Sequence, residues 1–365
     1  MCIRDRLYFD CEREPVLTFD RPEWFEQVGR EVMHAHKAAA IFDQSSFGKI
    51  RVQGADAESF LNRVCANNMS KQPGSVIYTA MLNERGGYES DFTAMRISNE
   101  KFVLYVGTAS VKKDLAWLER NLKDNERVVL DDVTKNRAVL GLMGPQSMNI
   151  ATALGAEFLN ELDYFKHGEG EISTIPVRAA RLSYVGEPGW AITCSSDNAL
   201  ALYQALHGLG AEPAGMYAQT SMRIEKQFLS YGHDLDSDVN PLQAGLAFAI
   251  DWSKDFVGKS ALERFKNEVP TSRLVSIKLL DSSAVPLGHE PVYCGGEIVG
   301  QTTSAAYGYR IGTPVALGYI DTAKTGHSVG GMEVQVDICG PLYTAELVQG
   351  PAFDPSGARM RNTTP

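Results

Sequence analysis

Between Met81 and Ile97 the chain reads MLNERGGYESDFTAMRI, and Asp91 is the residue there whose type and placement could do chemistry. Runs rich in Val, Ile, Tyr, Phe and Leu flank it, Ser75–Leu82 and Lys101–Val106, and such residues suit half-buried strands. Asn83-Glu84-Arg85-Gly86-Gly87 reads as a hairpin turn, its Gly pair supplying the positive φ that a tight turn needs. On the strand that follows, period-two alternation puts Asp91, Thr93, Met95 and Ile97 on one face. That face turns apolar beyond Asp91, so its carboxylate is expected at the mouth of a half-buried surface. There it can serve as a base or as the countercharge of a cationic substrate. Taken alone, the residue also fits a solvated carboxylate beside a turn.

Other chemistries are less well served. His34 and His36 stand two apart on an expected helix and point away from each other, which argues against a metal site. The six cysteines (Cys2, Cys11, Cys65, Cys194, Cys294 and Cys339) are scattered without a C-x-x-C, so free thiols in a reducing compartment are expected and a zinc site is not. The acidic stretch from Asp234 to Asp238 fails as a calcium loop, with Val239 where Gly is needed and Gly245 where the bidentate Glu belongs. There is no G-x-G-x-x-G and no Walker A sequence, so no dinucleotide or nucleoside triphosphate fingerprint is present. A net charge of −10 and a pI near 5.3 argue against general nucleic-acid binding. No apolar run approaches the ~20 residues that a membrane-spanning helix needs.

The elements that must position these residues follow from periodicity. The 365 residues suffice for two or three domains. Asp20-Arg21-Pro22-Glu23 reads as a helix start, with Asp20 as N-cap and Glu23 completing a capping box. The helix is expected to run about four turns, to about Ala39, with Trp24, Phe25, Val28 and Val32 facing the core. Strand Lys49–Gln53 and helix Asp56–Val64 precede the central hairpin. Helix Ser110–Asn121, strand Ala138–Met143 and a helix opened by Gly144-Pro145 come after it. Strands Gly170–Thr174, Pro176–Leu182 and Trp190–Cys194 then lead to helices Asp197–Leu209 and Ala218–Leu229. From Arg273 onward short strands alternate with turns, which reads as a small β-barrel or sandwich. The tail after Pro351 is expected to be mobile.

Several of these stretches carry a resemblance. GGYESDFTAMRI resembles the strand bearing the catalytic aspartate in the glycine cleavage T-protein family of folate-dependent aminomethyltransferases. It resembles more closely still the folate-binding C-terminal half of dimethylglycine and sarcosine dehydrogenases. FDQSSFGKI, RLSYVGEPGW, SMRIEK, YGHDLDSDVNPLQAGLAFAI, IVGQTTSA and VALGYI match further family segments in the same order, and PEWFEQVGREV is similar to the dehydrogenase branch. Ala191, Thr220, Gln227 and Gln243 depart from the usual pattern. Lys254-Asp255-Phe256-Val257-Gly258-Lys259 replaces the cysteine motif of a related iron–sulfur assembly subgroup, which argues against that role.

The resemblance implies an α+β fold of the aminomethyltransferase type with a small C-terminal β-barrel. It implies a folate-binding domain of two interleaved lobes at 8–270, the barrel at 271–350 and a tail at 351–365, and MCIRDR at the start, which resembles a foreign leader, makes 1–7 an expected non-native leader. It implies Asp91 as the catalytic group, and Met69, Tyr78, Tyr184, Glu187 and Arg223 around tetrahydrofolate in a central channel. Glu187 is expected to accept two N–H bonds from the pterin edge, and Arg223 to face the ligand. The expected reaction is methylene transfer from an iminium derived from an N-methylated glycine. FAD is expected only in a domain absent from this chain. Partners implied are a small-molecule substrate, an N-terminal flavin domain of a longer protein and a lipoyl carrier protein, with neither nucleic acid nor membrane. The expected location is the cytoplasm, or the mitochondrial matrix in a eukaryote. A stand-alone aminomethyltransferase, a related folate-dependent demethylase and a non-catalytic folate-binding scaffold are the competing readings.

Overall fold

A computed structural model describes residue 18 and residues 20–268, 270–326 and 328–361. The leader expected at 1–7, Cys2 and Cys11 lie outside these residues.

In chain order the first half comprises α1 (Phe25–Lys37), β1 (Ala40–Asp43), β2 (Gly48–Gln53), α2 (Ala57–Val64), β3 (Val76–Leu82), β4 (Tyr88–Ser98), β5 (Lys101–Val106), α3 (Val111–Asn121), β6 (Val129–Asp132), β7 (Arg137–Met143) and α4 (Ser147–Ala153). There follow β8 (His167–Ile172), β9 (Ile175–Ala180), β10 (Gly189–Ser195), α5 (Ala199–His207), β11 (Glu212–Ala214), α6 (Met216–Glu225) and α7 (Lys259–Lys266). The last part holds β12 (Ser272–Leu279), β13 (Pro291–Cys294), β14 (Glu297–Gly308), β15 (Thr313–Asp321), α8 (Thr322–Thr325), β16 (Glu333–Asp337), β17 (Leu342–Val348) and α9 (Ala358–Arg361).

The strands form three sheets. One has the order β3-β4-β5-β2-β6 and is antiparallel throughout. A second, β11-β1-β7-β10-β9-β8, is antiparallel except where β1 meets β11. The third is a closed barrel, β12-β15-β14-β13-β16-β17, which settles the choice between barrel and sandwich. Closure leaves it no unpaired edge.

Alternation explains which faces are covered. Phe92 and Ala94 of β4, with Ile50, Val52, Phe102 and Leu104 of its neighbours, bury against Phe60 and Leu61 of α2 and Leu118 of α3. Each large side chain so buried contributes on the order of 2 kcal/mol by removal from water. A separate apolar cluster ties the central hairpin to the rest of the molecule, packing Leu82 and Tyr88 with Ile224, Leu235, Val315 and Leu317. The hairpin end of the first sheet is thus packed against the barrel.

Two expectations are corrected. α1 begins at Phe25, and neither Asp20 nor Glu23 caps it; the flanking residue is Trp24, which makes no side-chain cap. Aromatic packing sets the helix entry, because Trp24 stacks on Tyr217 at 4.3 Å and Phe25 lies 5.1 Å from Tyr309. The tail after Pro351 is packed as far as Arg361. Phe353 N donates to Glu225 O, Arg181 donates to Arg361 O, and Met360 is buried.

Candidate functional site around Asp91

The turn between β3 and β4 is built by one side chain and two glycines. The Asn83 side-chain oxygen accepts from Arg85 N at 2.9 Å and Gly87 N at 3.1 Å, an Asx-type turn. Gly86 supplies the left-handed conformation at φ 87°. Gly87 has a different use: a Cβ there would lie 1.9 Å from Ser237 O, so only glycine lets the Asp236–Val239 loop close over the hairpin. Tyr88 N completes the contact by donating to Asp236 O and Val239 O.

Asp91 emerges on the face expected for it. Tyr78 of β3 donates its hydroxyl to Asp91 Oδ2 at 2.8 Å. The carboxylate is crowded by protein yet keeps intermediate solvent access. Burial pushes the Asp91 carboxyl up to about 6. The Tyr78 hydrogen bond opposes that shift, and the carboxylates of Asp114 and Asp234 reinforce it. A carboxyl poised there is ionised at neutral pH and basic enough to take a proton.

Aromatic rings flank it. Tyr78 stacks with Phe248 at 6.1 Å, and Phe248 is 69% exposed, unusual for so large an apolar side chain. Tyr184 stacks with Phe228 at 6.1 Å and donates to Leu229 O at 2.9 Å. Burial pushes the Tyr184 hydroxyl up to about 12, with Arg223, Asp91 and Asp234 all within electrostatic reach. Tyr78 is held well above its usual range, first by burial and then by the Asp91 charge. Both phenols therefore stay protonated as hydrogen-bond donors. Asp91, Tyr78 and Tyr184 are thus brought together, with Phe248 and Phe228 stacked beside the two tyrosines.

Three of the expected ligand residues are engaged within the protein. Met69 is fully buried in the apolar core under the first sheet, among Phe60, Leu61 and Phe102, so its side chain lines no ligand space. Glu187 is also fully buried, and its lone pairs are taken. Its Oε1 accepts from His36 Nδ1 and Arg310 Nη1, each at 2.9 Å, and its Oε2 accepts Nε and Nη2 of Arg359 at 2.9 and 2.7 Å. A carboxylate offers about four acceptor positions, and these four hydrogen bonds occupy them. Arg223 is turned inward as well, donating to Asp234 Oδ2 at 2.6 Å, Phe228 O at 3.1 Å and Ser304 Oγ at 2.7 Å. It anchors the Asp234 loop and the Phe228 backbone carbonyl.

Sequence reading missed four residues here. Asp234 and Asp114 are buried carboxylates that act on Asp91 through charge. Arg310, buried with Glu187 and Glu225, binds both acids. Phe248 stacks beside Tyr78. Only Phe248 left a legible signal, a large ring in the AGLAFAI segment; the others depend on contacts distant in sequence. Among the described residues no three His, Cys, Asp or Glu side chains are grouped to hold a metal ion, and no helix is long and apolar enough to cross a membrane.

Comparison with known proteins adds an independent line. Residues 9–254 match the GCVT N-terminal domain, and residues 273–354 the glycine cleavage T-protein C-terminal barrel domain. The chain is 34% identical over 344 residues to dimethylglycine dehydrogenase, mitochondrial, of Homo sapiens, covering 92% of this chain and 39% of that protein. It is 30% identical over 343 residues to the aminomethyltransferase of Bacillus cytotoxicus, covering 92% of each. The crystal structure of glycine cleavage system aminomethyltransferase T from Bartonella henselae matches 94% of each chain with a TM-score of 0.83, a likeness of fold at 24% identity.

Proposed function

The chain belongs to the glycine cleavage T-protein family, and on that footing we propose that it transfers a one-carbon unit, as methylene, to tetrahydrofolate. The observation that carries the reading is the Asp91 carboxylate, partly accessible, hydrogen-bonded by Tyr78 and pushed up to about 6 by burial. Tetrahydrofolate supplies a flat pterin and two secondary amines; Tyr78, Phe248, Tyr184 and Phe228 are the rings that would hold it. The donor is the iminium of an N-methylated glycine. Asp91 holds that cation by charge and accepts the folate N–H proton as the new C–N bond forms. It then returns the proton to the departing amine, so both folate N–H protons end on that amine as the methylene bridge closes. Tyr78 steadies the carboxylate in its ionised form.

We assign the donor to the dehydrogenase type, in which a flavin domain elsewhere in a longer protein oxidises dimethylglycine or sarcosine. Greater identity to dimethylglycine dehydrogenase, of which this chain spans 39%, supports this. Near-complete coverage of the Bacillus cytotoxicus aminomethyltransferase supports a second reading, in which an aminomethyl-lipoyl carrier is the donor. The test offers the chain tetrahydrofolate with either donor and follows 5,10-methylenetetrahydrofolate. Product from the dimethylglycine-derived iminium is expected. Product from the lipoyl carrier alone would shift the assignment to the second reading, and tetrahydrofolate binding without product from either would make the chain a scaffold.

A further inference from the structure

β4 reaches Asp91 through a bulge. Met81 of β3 pairs with Ser90, and Leu82 pairs with Tyr88, so Glu89 has no partner on β3. Bulges of this kind re-aim the side chains that follow them. Here both sides of the bulge are caught by the first turn of α3. Lys113 donates its ammonium to the Glu89 carbonyl. Ser90 donates its hydroxyl to Asp114 Oδ2 at 2.8 Å. Lys113 Nζ stands 3.6 Å from Asp114 Oδ1 and 3.8 Å from the Tyr231 ring centroid, which holds the ammonium in place. Asp114 is fully buried, and its Oδ1 has no hydrogen-bond partner. A carboxylate in that setting costs stability and calls for a compensating use.

We propose that Lys113 and Asp114 form a clasp that pins the Glu89 bulge and thereby fixes where Asp91 points, making them positioning residues for the transfer reaction. Side chains on a strand alternate, so a slip of one residue carries Asp91 to the opposite face of the sheet. Capture of Glu89 O and Ser90 Oγ, the two residues before Asp91, opposes that slip. The groups acting on Asp91 are Tyr78 from β3, Tyr88 from β4, Tyr184 from the segment before β10, Asp234 from the loop after α6 and Asp114 from α3. Those acting on Asp114 are Ser90 and Glu89 from β4 and Lys113 from its own helix. The inference rests on reading Asp91 as the proton-accepting group.

Three variants separate geometry from charge. Asp114→Asn keeps an acceptor for Ser90 and removes the charge, Asp114→Ala removes both, and Lys113→Met releases the bulge carbonyl. In the full chain each is compared with the parent for single-turnover methylene transfer, tetrahydrofolate affinity and the ¹³C-detected titration of the Asp91 carboxyl. Asp114→Ala and Lys113→Met are expected to slow transfer about 10- to 100-fold, the scale of a small misplacement, with affinity changed less than about twofold. Asp114→Asn restores most of the rate, and Asp114→Ala adds no further loss to an Asp91→Asn background. Full transfer by folded Asp114→Ala, or equal losses in Asp114→Asn and Asp114→Ala, overturns the clasp. If the parent chain transfers no methylene, the functional reading fails by itself. The clasp then stands on Asp114→Ala moving the Asp91 titration further than Asp114→Asn does, and falls if the two coincide.

Discussion

Asp91 is a carboxyl whose surroundings disagree about its charge. Burial and two neighbouring acids favour the protonated form, while the Tyr78 hydroxyl favours the ionised one. The balance near 6 sets the pH behaviour, since a base must be ionised to work. Transfer is expected to fall along an acid limb as pH drops through about 6. Tyr78→Phe removes the donor that stabilises the charged form, so the limb should move to higher pH and the rate at pH 7 should drop. A pH–rate profile of both proteins checks this, and an unmoved limb would deny Tyr78 its part. The resemblance named Asp91, Tyr78 and Tyr184, which the fold places within electrostatic reach of one another. The ion pairs of Glu187 were not legible, because a turn Glu between glycines gives no local hint that Arg310 and Arg359 from far along the chain will bind its oxygens.

At the scale of elements, the hairpin and α3 work as one unit. Asp114 buried beneath β4 has a measurable cost. Burial holds its carboxyl at about 6, against 3.8 ordinarily, so the folded state prefers the protonated acid. Stability is then fullest at low pH and declines as pH rises from the ordinary value through 6. Asp114→Asn escapes that decline. Its stability relative to the parent should improve by about 2 to 3 kcal/mol between pH 4 and pH 8, measured by urea unfolding at both. A difference that does not change with pH would show that the carboxyl is not strained by its burial. Most elements were legible because their patterns are local: the alternation in β4 and the helical spacing in α3 locate both. The Glu89 bulge was not legible, since it arises from the pairing of β4 with β3. Nor was the start of α1, where stacking of Trp24 on Tyr217 overrides a plausible capping box. The short β1, β6 and β11 exist through their neighbours in the sheets, with no clear period of their own.

Across the whole molecule, the barrel and tail tie together elements distant in sequence. Arg310, from the β14–β15 turn, bridges Glu187 to Glu225 of α6. The tail supplies Arg359 to Glu187 and Asp354 to Lys226, which is itself buried. Ending the chain at Gly350 leaves buried Lys226 without its carboxylate and Glu187 without Arg359, a change that costs on the order of 3 kcal/mol. The thermal midpoint of the truncated chain is therefore expected to fall by several degrees. A midpoint equal to that of the full chain would mean that the tail lies on the surface without supporting it.

The central claim is that Asp91 does the chemistry and the rest of the fold presents it. The most direct measurement is single-turnover methylene transfer by Asp91→Asn, alongside tetrahydrofolate binding and the unfolding midpoint of the same preparation. The account predicts transfer reduced at least about a hundredfold, the scale expected for loss of a positioned acid–base group, with binding and fold retained. Transfer at the parental rate by the folded variant would contradict it.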